Sequence, residues 1–390
     1  MNGRIITIKG ALDVLDFFTD CLTDAFRRIG FEVYVYDIRN SDSSNAGLIK
    51  FINKPVDFAI AYNNVGFFIT NNKRCLWDIL DIHYINIIVD APVYYAEILK
   101  NHIFPKSFFL CVDREHTDFI ERLRPDVPSA FLPHCAWNYA PVQIDKDRPT
   151  DIIYAGSITM NNIPNIPDVG MGEFSTIDLI DYTCHELITN PNQTTEHVIE
   201  QWLTSHNLNY DINRLTDIFF KFTPIPKFIT THFRKQQIEV LLNNGFKVNV
   251  YGENWANSEL IDHANFIYHG RISPTHIFDK MAQSKIILNS MPWFKAGSHE
   301  RIFNGMLAGG VVSSDYTSYI DEVFVNGEDM IIYDLKNMDI LPDFAEKIIY
   351  DNNFFNYMAS NGQKKVLANH MFINRAIEIL EYFSIIKEIR

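Results

Sequence analysis

The alternation of short apolar runs with amphipathic stretches is the feature that most constrains how this chain can fold. In the N-terminal part, strand-like runs lie at residues 4–8, 31–36, 57–62, 84–89, 107–112 and 129–132. An amphipathic stretch at 12–29, ended by Gly30, reads as the first helix. Parallel strands need crossover connections, so this rhythm predicts a parallel, doubly wound sheet.

The alternation restarts after a polar, proline-bearing segment at residues 138–151, which is typical of an interdomain linker. Further strand-like runs lie at residues 152–157, 247–251, 265–268, 286–288 and 311–314. A long helical stretch interrupts them at 174–223, and helices are predicted at 233–243, 275–283, 344–350 and 375–386. We therefore predict an α/β chain of two Rossmann-like doubly wound domains that face a cleft.

The predicted domain boundaries follow from these two series of strands. Residues 1–137 are predicted to form an N-terminal Rossmann-like domain, and residues 151–370 a C-terminal Rossmann-like domain. A helical insertion is predicted to interrupt the second domain at about residues 158–231. Residues 371–390 are predicted to form a C-terminal helix that can pack back on the first domain.

Composition and charge exclude several classes of protein. Apolar residues make up 47% and charged residues 21% of the 390 residues, a profile typical of a folded soluble protein. The net charge of −14 disfavours nucleic acid as a partner. The five cysteines are scattered and predict neither a zinc site nor a disulfide framework. Without a signal sequence or a run of about 18 apolar residues, we expect a cytoplasmic protein with no transmembrane segment.

One predicted helix has an unusually polar beginning, because the sequence GSHERIFNGMLAGG at residues 297–310 places a Gly-Ser pair before a His-Glu-Arg turn. A helix N-terminus offers unpaired N–H groups to a phosphate. Gly297 permits close approach of the backbone, and Ser298 can cap the helix or donate to phosphate, with His299 and Arg301 beside them. The alternative interpretation is a capped surface helix.

The same helix carries a second polar pair, Glu300 and Asn304, which lie one turn apart on one face. The opposite face is apolar. We expect the polar pair to line the site, where ribose or sugar hydroxyls can bind to it. The alternative is that Glu300 only stabilises the positive end of the helix dipole.

Four motifs in sequence order carry a resemblance to a known family. They are YHGRIS at residues 268–273, the segment 284–290, GSHERIFNGMLAGGVVSSDY at 297–316 and VNGEDMIIYD at 325–334. Together they resemble the donor-binding domain of group 1 glycosyltransferases with the GT-B fold, in the bacterial branch that includes spore-maturation-type glycosyltransferases. That family has two glutamates eight positions apart at this site; here Ala296 and Asn304 stand in their places.

The resemblance also implies where the diphosphate of the sugar donor binds. The family's basic residue after the first strand of this domain is missing beyond Gly156 and Ser157, but the segment 233–255 resembles the helix and strand that normally follow. We therefore expect the insertion to return Arg234 to the site as a phosphate ligand. The alternative is a solvated charge at the start of a helix.

Two further candidates on the donor side are Trp255 and Arg271. Trp255 ends a strand and would lie near the nucleotide, or else belong to the core. Arg271, like Arg301, would contact phosphate or be only a surface charge.

The resemblance implies that residues 1–137 form the acceptor side and that residues 151–370 bind the sugar donor. The insertion is expected to shape acceptor binding or an oligomer contact, or to be a packed lid without a partner. The acceptor side has weaker candidates than the donor side. Asp13 follows the first strand and is a candidate base, and Asp113, Glu115, His116 and His134 follow other strands. Carboxylates at such places are equally typical of helix caps. No convincing D-x-D pair follows a strand, so we expect no catalytic metal and no cofactor.

The expected function is the transfer of a sugar from a UDP-sugar or GDP-sugar to an acceptor hydroxyl on a protein, a lipid-linked glycan or a polysaccharide. The alternatives are a sugar-nucleotide epimerase or phosphorylase of the same fold, and a noncatalytic partner subunit that binds sugar nucleotides. The stereochemical course and the oligomeric state are left open.

Overall fold

The computed structural model describes residues 3–71, 73–159 and 161–389, and side chains among them other than those of Asp13, Asn71 and Ile389. The chain forms two compact units. Unit 1 consists of the chain up to Asn138 together with the chain from His370 onward. Unit 2 runs from Tyr139 to Asn369.

Unit 1 is built around a parallel sheet of six strands with the order β2-β1-β3-β6-β7-β8. Its elements up to residue 131 are β1 Arg4–Lys9, α1 Asp13–Arg28, β2 Glu32–Asp37, α2 Ser41–Phe51, β3 Phe58–Tyr62, β4 Thr70–Asn71, β5 Arg74–Cys75, α3 Leu76–Ile79, β6 His83–Ile88, α4 Ala96–Asn101, β7 Ser107–Cys111, α5 Arg114–Leu123 and β8 Ser129–Phe131. The short strands β4 and β5 pair with each other as an antiparallel hairpin.

Unit 2 contains the second parallel sheet, with the order β11-β10-β9-β12-β13-β14. Its elements are β9 Thr150–Ala155, α6 Thr176–Thr189, α7 Thr195–Ser205, α8 Ile212–Phe222, α9 Pro224–Asn243, β10 Val248–Tyr251, β11 Phe266–Tyr268, α10 Pro274–Met281, β12 Ser284–Leu288, α11 Glu300–Leu307, β13 Val311–Asp315, α12 Ser318–Val323, β14 Ile331–Tyr333, α13 Leu341–Tyr350 and α14 Asn352–Asn369. Two parallel six-stranded sheets with helices confirm the predicted α/β fold class.

The last helix, α15 (Phe372–Ile389), belongs to unit 1 although it follows all of unit 2 in sequence. It packs on α1 and on the sheet, where the Phe383 ring lies 4.8 Å from that of Phe58, centroid to centroid. Phe372 lies 6.4 Å from Phe18 of α1. The burial of these rings removes apolar area from water and holds the C-terminal segment on the N-terminal sheet.

The predicted helical insertion is present as α6, α7 and α8, between β9 and β10. The helix that carries Arg234 differs from the prediction, because α9 begins at Pro224 rather than near residue 233. Proline in the first turn of α9 has the backbone angle that a helix start needs. The end of the insertion is therefore continuous with a helix of the Rossmann-like unit.

Several helices were not predicted, and α2 and α14 are the longest of them. Both are rich in Ser, Asn or Gly, residues that disfavour helices when local sequence alone is considered. Packing overrides this preference in α14, where a Cβ on Gly362 would lie 2.7 Å from the carbonyl oxygen of Asp329. The glycine lets α14 lie close to that backbone.

The segment at residues 139–149, predicted as a linker, packs on unit 2. Its anchor is Arg148, which is 5% exposed. The guanidinium donates to the carbonyl oxygens of Ala282, Ser284 and Ala308 at 3.1, 3.0 and 3.0 Å. These carbonyls lie at and just beyond the carboxyl ends of α10 and α11, where helices leave acceptors unpaired and where positive charge is favourable.

Within the described ranges, none of the helices has both the length and the apolar character that a membrane crossing requires. The same residues contain no group of three or more His, Cys, Asp or Glu side chains arranged to hold a metal ion.

Candidate functional site

The strand order of unit 2 identifies the position of a ligand crevice. The chain leaves β9 for β10 on one side and later returns to β12 on the other, so the order of strands reverses at β9. Ligands of doubly wound sheets bind beyond the carboxyl ends of the strands at such a reversal. Tyr154 of β9 lies opposite both Val250 and Leu288, so the residues that follow these strands emerge side by side.

Arg234 of α9 lies at this edge of the sheet. It is 9% exposed, and its Nη1 donates to the carbonyl oxygen of Ser157. The guanidinium carbon lies 6.0 Å from the centroid of the Tyr154 ring and 5.1 Å from that of Trp293. The long helix α9 thus brings a buried cation to the end of β9.

Arg301 of α11 is a second buried cation in the same place. It is also 9% exposed, its Nη1 donates to Oδ1 of Asn289 at 2.6 Å, and its guanidinium carbon lies 6.0 Å from the Tyr154 ring. Burial lowers the pKa of Arg301, an effect that the nearby charge of Arg234 reinforces. Among the described residues, no carboxylate forms an ion pair with either guanidinium. We call Arg234 and Arg301 the arginine pair.

A buried carboxyl group, Asp315, ends the neighbouring strand β13. It is 1% exposed and accepts a hydrogen bond from the backbone N–H of Met291 at 2.8 Å. Burial raises its pKa to about 6, although Lys295 and Arg234 oppose the shift. Asp315 therefore moderates the positive field of the arginine pair without an ion pair to it.

The helix α11 begins differently from the prediction. His299, not Ser298, is the N-cap residue, and its Nδ1 lies 3.2 Å from the backbone nitrogen of Arg301. The same Nδ1 lies 3.0 Å from Oε2 of Glu300. A lone pair on Nδ1 serves the first contact and a proton on Nδ1 serves the second, so the two contacts belong to different tautomers or protonation states of the ring. Burial lowers the pKa of His299, which disfavours the doubly protonated ring, in which Nδ1 cannot accept.

Gly297 and Ser298 are both buried, which corrects the prediction that they present open backbone to a phosphate. The carbonyl oxygen of Gly297 accepts from Oγ1 of Thr317 at 2.7 Å. Ser298 is 0% exposed, and its hydroxyl has no hydrogen-bond partner among the described residues. Gly297 and Ser298 therefore lie on the buried side of the loop that precedes α11.

The prediction that Glu300 and Asn304 line the site together is also wrong in part. Asn304 is 1% exposed, whereas the side chain of Glu300 is 18% exposed. The unpredicted helix α14 covers α11, and Gln363 donates to the carbonyl oxygen of Leu307 at 3.0 Å. Only the first turn of α11 therefore meets solvent through Glu300 and His299.

The other donor-side candidates differ in their contacts and in their burial near the end of β9. Nε1 of Trp255 donates to the carbonyl oxygen of Gly156 at 2.7 Å, and Trp255 is 0% exposed, so it is a core residue. Oγ of Ser157 accepts from the backbone N–H of Glu253 at 2.8 Å. Arg271 lies on the surface, with 77% of its side chain exposed and Nη1 3.3 Å from Glu253. These contacts fix the backbone of Gly156 and Ser157 next to the arginine pair.

The candidates of unit 1 are placed less favourably. Asp13 begins α1, but its side chain lies outside the described part of the structure. Asp113 is the N-cap of α5, accepting from the backbone N–H of Glu115 at 2.8 Å, and is 0% exposed. His116 is buried, and burial lowers its pKa. His134 packs on Phe18, with ring centroids 5.9 Å apart.

Several residues of the site were missed by sequence reasoning. They are Tyr154, Asn289, Trp293, Lys295 and Asp315. Three of them lie at or just after the carboxyl end of a strand in unit 2, and this position was the available signal. The local sequence pattern did not single these residues out, because it does not report which distant side chains they contact.

Residues 234–381 match the protein family described as glycosyl transferase-like. A search with the sequence finds no match among curated proteins.

Similar solved structures cover the whole chain. Anabaena HepE in complex with UDP and glucose has a TM-score of 0.55 at 9% identity, over 98% of this chain and 100% of HepE. T4 phage BGT in complex with UDP and Mn²⁺ has a TM-score of 0.53 at 10% identity, over 99% of each chain. A glycosyltransferase from Rickettsia africae ESF-5 has a TM-score of 0.52 at 10% identity, over 98% of each chain. The chain thus has the fold of these proteins, and its residues 234–381 are similar to the glycosyl transferase-like family.

Proposed function

We propose that this protein is a glycosyltransferase that moves a sugar from a nucleoside-diphosphate sugar to an acceptor hydroxyl. The observation that carries the proposal is the arginine pair at the strand reversal of unit 2, buried and without an ion-paired carboxylate among the described residues. A buried cation costs free energy unless a countercharge compensates it. A diphosphate supplies that charge, and guanidinium groups bind phosphate oxygens in pairs. The glycosyl transferase-like match includes both arginines.

In the proposed reaction, the bond between the anomeric carbon and the diphosphate oxygen breaks, and that oxygen keeps the electron pair. The acceptor oxygen bonds to the anomeric carbon and gives its proton to a base, for which Asp13 is our candidate. The arginine pair stabilises the charge that develops on the leaving diphosphate. We propose that this cationic stabilisation makes a catalytic metal unnecessary.

The proposed sugar donor is a UDP-sugar. HepE and T4 phage BGT, which share this fold, are both known in complexes with UDP. A GDP-sugar is the second candidate to test.

Glu300 is proposed to contact the sugar. Its side chain is the part of α11 that remains partly exposed, and it follows the capping residue His299. Carboxylate oxygens accept hydrogen bonds from sugar hydroxyls. Asn304, one turn further along α11, is proposed to support this end of the helix from the core side.

The contacts that follow β1 support the proposal that the nucleotide binds in unit 2 rather than in unit 1. At the end of β1, the backbone N–H of Gly10 donates to Oδ1 of Asp16 at 2.6 Å. Oδ2 of Asp16 lies 2.8 Å from Nη2 of Arg39, which also contacts Asp37 at 3.1 Å. The chain's own carboxylates thus occupy the place where an anion would bind in unit 1.

The test of the proposal is the affinity for UDP of wild type, Arg234→Met and Arg301→Met, measured by calorimetry. Each substitution removes charged hydrogen bonds to the diphosphate, and we expect UDP binding to weaken by about tenfold to a hundredfold. Arg271→Met is the matched control, because Arg271 is exposed and should not contact the diphosphate. Wild-type affinity in both buried variants would overturn the proposal.

Turnover is tested with UDP-glucose, an acceptor panel and either EDTA or Mn²⁺. The proposal expects UDP release that depends on the acceptor and is unaffected by EDTA. Release that requires Mn²⁺ would contradict metal independence. Conversion of the sugar nucleotide without any acceptor and without change of mass would instead identify an epimerase.

One observation favours a second candidate, a noncatalytic subunit that binds sugar nucleotides. Ala296 and Asn304 stand where the resembled family has glutamates, and they are 7% and 1% exposed. UDP binding that depends on the arginine pair, without hydrolysis or transfer across the panel, would support this candidate.

A further inference from the structure

The helical insertion makes a direct contact with the loop that leads into α11. We call residues 289–299 the β12–α11 loop and residues 190–194 the α6–α7 turn. Nζ of Lys295 donates to the carbonyl oxygen of Pro191 at 2.5 Å and also to that of Pro292. One ammonium group therefore joins a carbonyl of the insertion to a carbonyl of the loop.

The opposite side of the β12–α11 loop is attached to the end of β13 and to the start of α12. The backbone N–H of Met291 donates to Asp315, and the backbone N–H of Ser318 donates to the carbonyl oxygen of Lys295 at 3.0 Å. Thr317 binds the carbonyl oxygen of Gly297. The loop is thus held between the end of β13 and the insertion, with Lys295 at the insertion side.

The position of this loop determines the surroundings of the arginine pair. Asn289, the first residue of the loop, accepts the hydrogen bond from Arg301. Trp293 places its ring 5.1 Å from the guanidinium carbon of Arg234. A shift of the loop would therefore move a neighbour of each arginine.

We propose that Lys295 is a positioning residue through which the helical insertion holds the β12–α11 loop in the geometry that binds the diphosphate. The identity of the ligand rests on the proposed function, whereas the attachment itself does not. The insertion then contributes to the affinity for the sugar donor, a role in addition to those expected from the sequence.

The test compares Lys295→Met with Lys336→Met. Lys336 is a matched control because its Nζ contacts Oδ1 of Asn190, in the same α6–α7 turn, at 3.0 Å from outside the β12–α11 loop. The first measurement is hydrogen exchange at the amides of Phe294 and Ser318, whose hydrogen bonds report on the loop. The second is the Kd for UDP.

In Lys295→Met we expect exchange at these two amides and the Kd for UDP each to rise about tenfold, because a charged hydrogen bond is lost. Lys336→Met should match wild type, and Lys295→Arg should retain most of the protection because it keeps a cationic donor. Wild-type exchange in Lys295→Met, or equal changes in Lys336→Met, would overturn the attachment. Faster exchange with an unchanged Kd would overturn its role in binding.

Failure of the proposed function has a different signature. Wild-type protein that does not bind UDP would remove that function, while the exchange measurement would still decide whether Lys295 holds the loop.

Discussion

Asp315 makes unit 2 less stable as the pH rises. Its pKa is raised by burial from its ordinary value of 3.8 to about 6, so the folded state binds a proton that the unfolded state releases. The stability is therefore highest below the unfolded pKa and falls as the pH rises through the folded pKa. The difference of about two pH units corresponds to a cost of about 3 kcal/mol above the folded pKa.

The substitution Asp315→Asn should remove this cost, because an amide has no charge to bury and its oxygen can still accept from the N–H of Met291. About half of the cost is already present near pH 5, so the variant should gain a further ~1.5 kcal/mol over wild type between about pH 5 and about pH 7.5.

Urea denaturation of both proteins across this range, in a buffer free of phosphate, measures the gap. Other titrating groups are common to the two proteins and cancel in the difference. A gap that stays constant with pH would refute the reasoning about the buried carboxyl group.

Three further substitutions test packing and hydrogen bonds in the two units by urea denaturation. Arg148→Met should cost about 3 kcal/mol because it leaves buried helix-end carbonyls unpaired; a loss below about 1 kcal/mol would show that water replaces the guanidinium. Gly305→Ala should cost about 1–3 kcal/mol of unfolding free energy, because the new Cβ would lie 2.8 Å from Cγ2 of Val312. An unchanged unfolding free energy would show that the Val312 side chain moves aside without a measurable cost. Tyr84→Phe should cost about 1–2 kcal/mol in unit 1, because the backbone N–H of Gly66 loses its acceptor at 3.1 Å; unchanged unfolding of unit 1 would contradict this.

Asp315 lies near the arginine pair, where we propose that the diphosphate binds. Burial raises the pKa of this carboxyl group to about 6, so it begins to take up a proton just below neutral pH. A bound diphosphate would increase the negative charge around Asp315 and raise its pKa further. Anion binding should therefore be coupled to proton uptake at this carboxyl group.

The sequence by itself determined the order and type of most elements in both sheets, because side-chain periodicity reports on the local backbone. The same pattern predicted the strand ends at which the candidate site lies, whereas the role of Arg234 was predicted from the resemblance to the glycosyltransferase family. It failed for α14, whose glycine and asparagines disfavour a helix until packing compensates.

Only the tertiary structure decided which polar groups are buried and what they contact. The sequence predicted that Ser298 and Asn304 face the site, yet the two residues are 0% and 1% exposed. The contact between Lys295 and Pro191 joins distant segments, so no local pattern reports it. Burial depends on what packs against an element from elsewhere in the chain, whereas periodicity depends only on the element itself.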